Sequence, residues 1–108
     1  MSRPLRVEYP GALYHVTARG NEQRPVFRDD VDRACYLDHL ARYRARFGFR
    51  VHAYCLMTNH IHLADETSDT PLSLIMLALH CSYSKAFNRR LGRVGRRFHV
   101  LYKSFIAL

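Results

Sequence analysis

The apolar residues of this chain change period repeatedly, from alternation to a helical repeat, back to alternation, and through the same cycle again. In one small unit, that succession calls for helices layered on a sheet. Residues 12–19 (ALYHVTAR) are rich in β-branched and aromatic types behind a Pro10-Gly11 turn signal and predict a strand, broken at Arg19-Gly20-Asn21. Asp29 and Asp30 then offer a helix cap, and Tyr36, Leu40, Tyr43 and Phe47 follow at helical spacing until Gly48 supplies a stop. Residues 49–57 (FRVHAYCLM) and 60–65 (HIHLAD) predict two antiparallel strands joined at Thr58-Asn59, where Asn tolerates the positive φ of a tight turn. Their register stays open, because one residue in that turn decides which side chains of the earlier strand share a face with the later one. A second helix is predicted over 72–91, behind the hydroxyl- and Asp-rich Thr67-Ser68-Asp69-Thr70-Pro71. Its stripe is Leu72, Ile75, Met76, Leu79, Tyr83 and Phe87, and Leu74 and Leu77 widen it enough to suggest a second covering surface. Gly92 and Gly95 bracket a basic turn before residues 98–106 (FHVLYKSFI) return as a last strand.

The order strand, helix, strand, strand, helix, strand predicts an α+β, ferredoxin-like fold: a four-stranded antiparallel sheet with both helices on one face and the other face open. A length of 108 residues fits one domain, 1–108, and 48% hydrophobic with 24% charged residues excludes a disordered tail. No apolar run approaches the ~20 residues of a membrane span, and the start lacks a signal-peptide pattern, so a cytoplasmic chain without a membrane partner is expected. Cys35, Cys55 and Cys81 lack CxxC spacing and sit in periodic apolar segments, as small buried hydrophobes would.

Charge is segregated. Residues 1–70 nearly balance, whereas 71–108 hold Lys85, Arg89, Arg90, Arg93, Arg96, Arg97 and Lys103 with no acidic residue, out of a net +8. So complete a separation points to a polyanion, although a basic face that only aids solubility is the plainer alternative. The sharpest local feature is Asn59-His60-Ile61-His62-Leu63. In a strand, residues i and i+2 point the same way with Cα atoms ~6.6 Å apart, so His60 and His62 can present two imidazoles to one divalent ion while Ile61 enters the core. Alone, His-x-His equally fits two half-exposed strand histidines, and 63–70 contains no third one. A metal there needs a further protein ligand, water or substrate oxygens.

Five stretches, RPLRVEYPGALYHVTARGN, VFRDDVDRACYLDHL, HAYCLMTNHIHL, SYSKAFNRRLGRVGRRF and YKS, occur in the order seen in single-tyrosine transposases of the HUH superfamily. From about residue 3 to 104 the chain resembles this family, particularly the transposases associated with repetitive extragenic palindromes. The resemblance implies that His60 and His62 hold Mg²⁺ or Mn²⁺, which polarises a scissile phosphate, and that a tyrosine attacks to leave a 5′-phosphotyrosine and a free 3′-hydroxyl. It implies single-stranded DNA with a hairpin as partner, contacted by Arg19, Asn21, Lys85, Asn88, Arg89, Arg90, Arg93, Arg96, Arg97 and Lys103. A homodimer is left open.

The family nucleophile lies downstream of the YKS-like strand, before an Asn-Pro pair that these 108 residues lack, so it is expected beyond Leu108 and the chain is expected to be inactive alone. Tyr83 matches a family position but reads as core. Val100-Leu101 stands where the family usually has Gly-Arg, and Ala64 replaces a common leucine. The alternative is a non-catalytic ferredoxin-like domain that simply binds nucleic acid.

Overall fold

Residues 9–92 and 98–107 are described by the structure, a computed structural model, apart from the side chains of Glu22, 98–101 and 107. Strand β1 (Leu13–Gly20) runs through a short 3-10 turn into α1 (Asp30–Phe47), and β2 (Arg50–Leu56) and β3 (His60–Glu66) form a hairpin. Helix α2 (Leu72–Leu91) then leads to β4 (Phe98–Ala107). The sheet is antiparallel in the order β2-β3-β1-β4, with both helices on one side, which is the expected ferredoxin-like fold. Its thinnest dimension, 19 Å, is that of one sheet and one helix layer. No described helix is long and apolar enough to cross a membrane.

Each helix starts and stops where its sequence dictates. The Asp29 side chain accepts the Asp32 N–H at 3.1 Å, and Gly48, at φ 74, closes α1 in the left-handed region that a residue with a Cβ avoids. Pro71 stands one place before α2 and no side chain caps that end. All six residues of the predicted α2 stripe are buried, whereas Leu74 and Leu77 are 47% and 60% exposed, with nothing among the described residues covering them.

On the sheet, alternation sorts the side chains. Tyr14, Val16 and Ala18 of β1 and Ile61 and Leu63 of β3 enter the core, with α1 contributing Tyr36 and Leu40. The Tyr36 hydroxyl meets His80 Nε2 at 2.8 Å, and burial pushes His80 down to about 3, so this core histidine is neutral. Two expectations are corrected. Cys55 and Cys81 are exposed, because the first falls on the open side of an edge strand and the second on the outer side of α2; Cys35 is only half-buried, and all three are free. Asn59 does not use a positive φ, since Gln23 alone among the described non-glycine residues has one.

The β2–β3 turn is held from outside. Thr58 O accepts the N–H groups of Val26 (2.8 Å) and Phe27 (3.3 Å), and Asn59 O accepts that of Gly20 (2.7 Å). Gly20 permits this close passage: a Cβ there would collide with the Arg24 carbonyl oxygen. Helix ends are joined by charge. Asp32, buried, takes hydrogen bonds from the Arg28 side chain and backbone and from Arg90, which also bonds Asp29. Burial by itself would raise the Asp32 carboxyl, but these donors outweigh it and hold it below its usual range.

Asp65 is the exception to this good pairing. It points to the core from β3, 0% exposed, and neither carboxylate oxygen has a hydrogen-bond partner among the described residues. Burial raises its carboxyl from 3.8 to about 7, against the opposing pull of His52. A raised pKa means that the folded state binds the proton more tightly than the unfolded one, so this contribution to stability is present at low pH and lost as pH rises through about 7. Asp65→Asn, which keeps the shape and removes the charge, should therefore raise the melting temperature, with a gap over the parent that widens between pH 5 and pH 8. Thermal unfolding of both chains at the two values checks this, and a gap that is constant or narrows with pH would contradict it.

Candidate functional site on the open sheet face

The register left open by the sequence is resolved by Met57 N–H bonding His60 O at 2.9 Å, so that Leu56 opposes Ile61 and Cys55 opposes His62. A bulge at His52 shifts the pairing farther along. Since Ile61 is core, His60 and His62 emerge on the face away from the helices. One row crosses all four strands there: Cys55, His62, Thr17 and Lys103. Beside it run Ala53, Ala64, His15 and Phe105, and on the other side His60 faces Arg19 across β3 and β1. Glu66, farther along this face, pairs with His52 at 2.9 Å.

The two expected ligands sit together, with His60 and His62 ring centroids 5.1 Å apart. Each has its Nδ1 engaged. His60 Nδ1 lies 2.8 Å from Asn59 Oδ1, and His62 Nδ1 lies 3.2 Å from Thr17 Oγ1 and 3.3 Å from His15 Nε2. Partial burial, and then the neighbouring His60 and His15, lower the His62 pKa and favour its neutral, ligating form. Among the described residues no three His, Cys, Asp or Glu side chains are gathered so as to hold a metal ion. Two imidazoles alone would leave any divalent ion to take its remaining ligands from elsewhere.

Of the sequence-predicted contacts, Arg19 and Lys103 lie exposed on this same face. Asn21 begins the 3-10 turn at the end of β1, close to the β2–β3 turn. Lys85 and Arg89 are exposed on α2, in the helix layer. Two others have different surroundings: Asn88 is 8% exposed, and Arg90 is bound to Asp29 and Asp32, which offset its charge. Arg93, Arg96 and Arg97 lie outside the described residues.

Sequence reasoning missed His15, Thr17 and Phe105. The signal was present: YHVT repeats on β1 the same alternation as HIH on β3, but only the β1–β3 register shows that the two sets meet. Phe105, 63% exposed beside His15, is a large aromatic close to the polar row of His62, Thr17 and Lys103.

No strand tyrosine joins this face. Tyr14, Tyr54 and Tyr102 all alternate to the helix side, opposite Asp65, Leu63 and Ala18 respectively. Tyr36, Tyr43 and Tyr83 belong to helices, Tyr83 buried and donating to the Val26 carbonyl, as its place in the stripe predicts. Tyr9 lies beside Thr67, at the far end of β3 from His60.

The fold recurs in known structures. A REP-associated tyrosine transposase solved bound to a REP hairpin superposes with a TM-score of 0.78 at 14% identity, covering 100% of this chain and 63% of that one. A crystal structure of a Deinococcus radiodurans R1 protein assigned as a transposase gives 0.70 at 15% identity, covering 100% of this chain and 85% of that one. No curated protein sequence matches significantly. The model of the family described as "Transposase IS200 like" matches residues 9–106, nearly the whole chain, which therefore belongs to that family.

Proposed function

We propose that this chain is the metal- and DNA-holding body of a single-strand transposase, with the open sheet face as its working surface. The observation that carries the reading is the placement of His60 and His62 side by side on a face that no described element covers, with Arg19 and Lys103 on its β1 and β4 side, in a chain of a transposase family. His60 and His62 would hold a divalent ion, Mg²⁺ or Mn²⁺, which when bound supplies Lewis-acid polarisation of a phosphate oxygen. Arg19, opposite His60 on β1, and Lys103, two strands from His62 on β4, would both offset phosphate charge on the same side of the pair. Phe105 offers a flat apolar face on which a base of a single strand can stack. That a relative was solved on a REP hairpin supports a hairpin-bearing strand as the substrate. Lys85 and Arg89 on α2 would then meet the part of the DNA that passes around the sheet.

The expected nucleophile is a tyrosine, as in the family, nicking DNA through a tyrosine-phosphate intermediate. None of the strand tyrosines lies on the open face, so the 108-residue chain should bind DNA without cleaving it. That same observation favours the alternative, a silent nucleic-acid binder, and the two readings part at the histidines.

DNA binding has two separable components. Lys103→Ala should weaken binding to a single-stranded hairpin and reduce the magnitude of the salt slope by about 1. Phe105→Ala should cost about 1–3 kcal/mol of affinity with the slope unchanged. Arg90→Ala should act mainly on stability, because its guanidinium is held by Asp29 and Asp32. Fluorescence anisotropy between 50 and 200 mM salt, roughly the range over which phosphate contacts show, reads all three; slopes equal in the parent and in Lys103→Ala would contradict the open-face placement.

Metal binding tests the chemistry. Two imidazoles hold hard Mg²⁺ or Mn²⁺ weakly and Ni²⁺ or Zn²⁺ better, and protonation at low pH abolishes either. Calorimetry should show Ni²⁺ binding at pH 8 that His60→Ala and His62→Ala each remove. Retained affinity in both variants would identify the pair as structural and leave the silent binder as the better reading.

A further inference from the structure

A neutral histidine ligates only through the ring nitrogen that lacks a proton, so something must decide where the proton sits. For His60 one contact constrains it. The group 2.8 Å from its Nδ1 is the amide oxygen of Asn59, which can only accept, so Nδ1 carries the proton and Nε2 keeps its lone pair. His62 has two neighbours at Nδ1, Thr17 Oγ1 at 3.2 Å and His15 Nε2 at 3.3 Å. A single in-plane lone pair cannot take two donors well, whereas one N–H can be shared between two acceptors at these slightly long distances.

We propose that Asn59, Thr17 and His15 are positioning residues: they hold the protons of His60 and His62 on Nδ1, so that both Nε2 atoms face outward, unprotonated, from the open sheet. The proposal rests on the reading of this face as a metal site and adds what that reading lacks, a device that makes two adjacent imidazoles present the same nitrogen. Thr17 and His15 can do this because they stand on β1 in the rows of His62 and its neighbour Ala64, and Asn59 because it immediately precedes His60 in the turn. A free imidazole side chain in water prefers its proton on Nε2, so removal of the acceptors should reverse the arrangement. Outer partners of this kind typically contribute about 10–100-fold to metal affinity.

Long-range ¹H–¹⁵N spectra of the metal-free 108-residue chain at pH 8 read each tautomer directly. The parent should show Nδ1–H at both histidines. Asn59→Asp and Thr17→Ser, which keep an acceptor, should preserve it. Asn59→Leu should move the His60 proton to Nε2, and Thr17→Val combined with His15→Phe should do the same for His62, with amide spectra otherwise native and Ni²⁺ affinity reduced by about 10–100-fold. An Nε2–H tautomer at His62 in the parent, or tautomers unmoved by these variants, would overturn the positioning roles while the metal reading stood. Tautomers as expected, with Ni²⁺ affinity indifferent to His60→Ala, would instead overturn the metal reading and leave only the proton placement.

Discussion

Two carbonyl groups decide which way the histidines of β3 face. Thr58 O is held by the N–H groups of Val26 and Phe27, and Asn59 O by that of Gly20, so the β2–β3 turn cannot slide without breaking bonds to the segment that follows β1. A slip of one residue would turn His60 and His62 into the core and Ile61 and Leu63 into solvent. The same bonds set the end of β1, where Gly20 passes too near the Arg24 carbonyl to bear a side chain. Hence Arg19 arrives opposite His60, and Thr17 and His15 reach His62.

Among the described residues, basic side chains of the same kind serve different duties. Arg90 and Arg28 join the ends of the helices through Asp29 and the buried Asp32, a pairing whose loss would leave a carboxylate out of water. Arg19, Lys85, Arg89 and Lys103 remain exposed, on the sheet face or on the outside of α2. A guanidinium count taken from sequence cannot separate these duties, since both use the same side chain and only its neighbours differ.

Most of the fold was legible because it rests on local chemistry. The Asp29 cap, the Gly48 stop and the α2 stripe all act within a few residues, and the succession of strands and helices followed from the changes of period. The His60 and His62 pair was legible for the same reason, since i and i+2 need no partner strand to share a face. What escaped depends on pairing between distant segments. His15 and Thr17 are more than 40 residues from His62, the exposure of Cys55 follows from its register on an edge strand, and Asp65 reads as a polar strand end until alternation places it under the helices. Asn59 was read for its backbone and matters through its side chain.

The open face, and not the acidic start of α1, is where we propose that a divalent ion meets this chain. Sub-stoichiometric Mn²⁺ added to the ¹⁵N-labelled protein tests it, because even weak binding broadens the amide signals nearest the ion. Binding at the paired histidines should make His60, His62, Thr17 and Arg19 fade first while both helices stay sharp. Early loss of signals around Asp29 and Asp30, with the β3 histidines untouched, would contradict it.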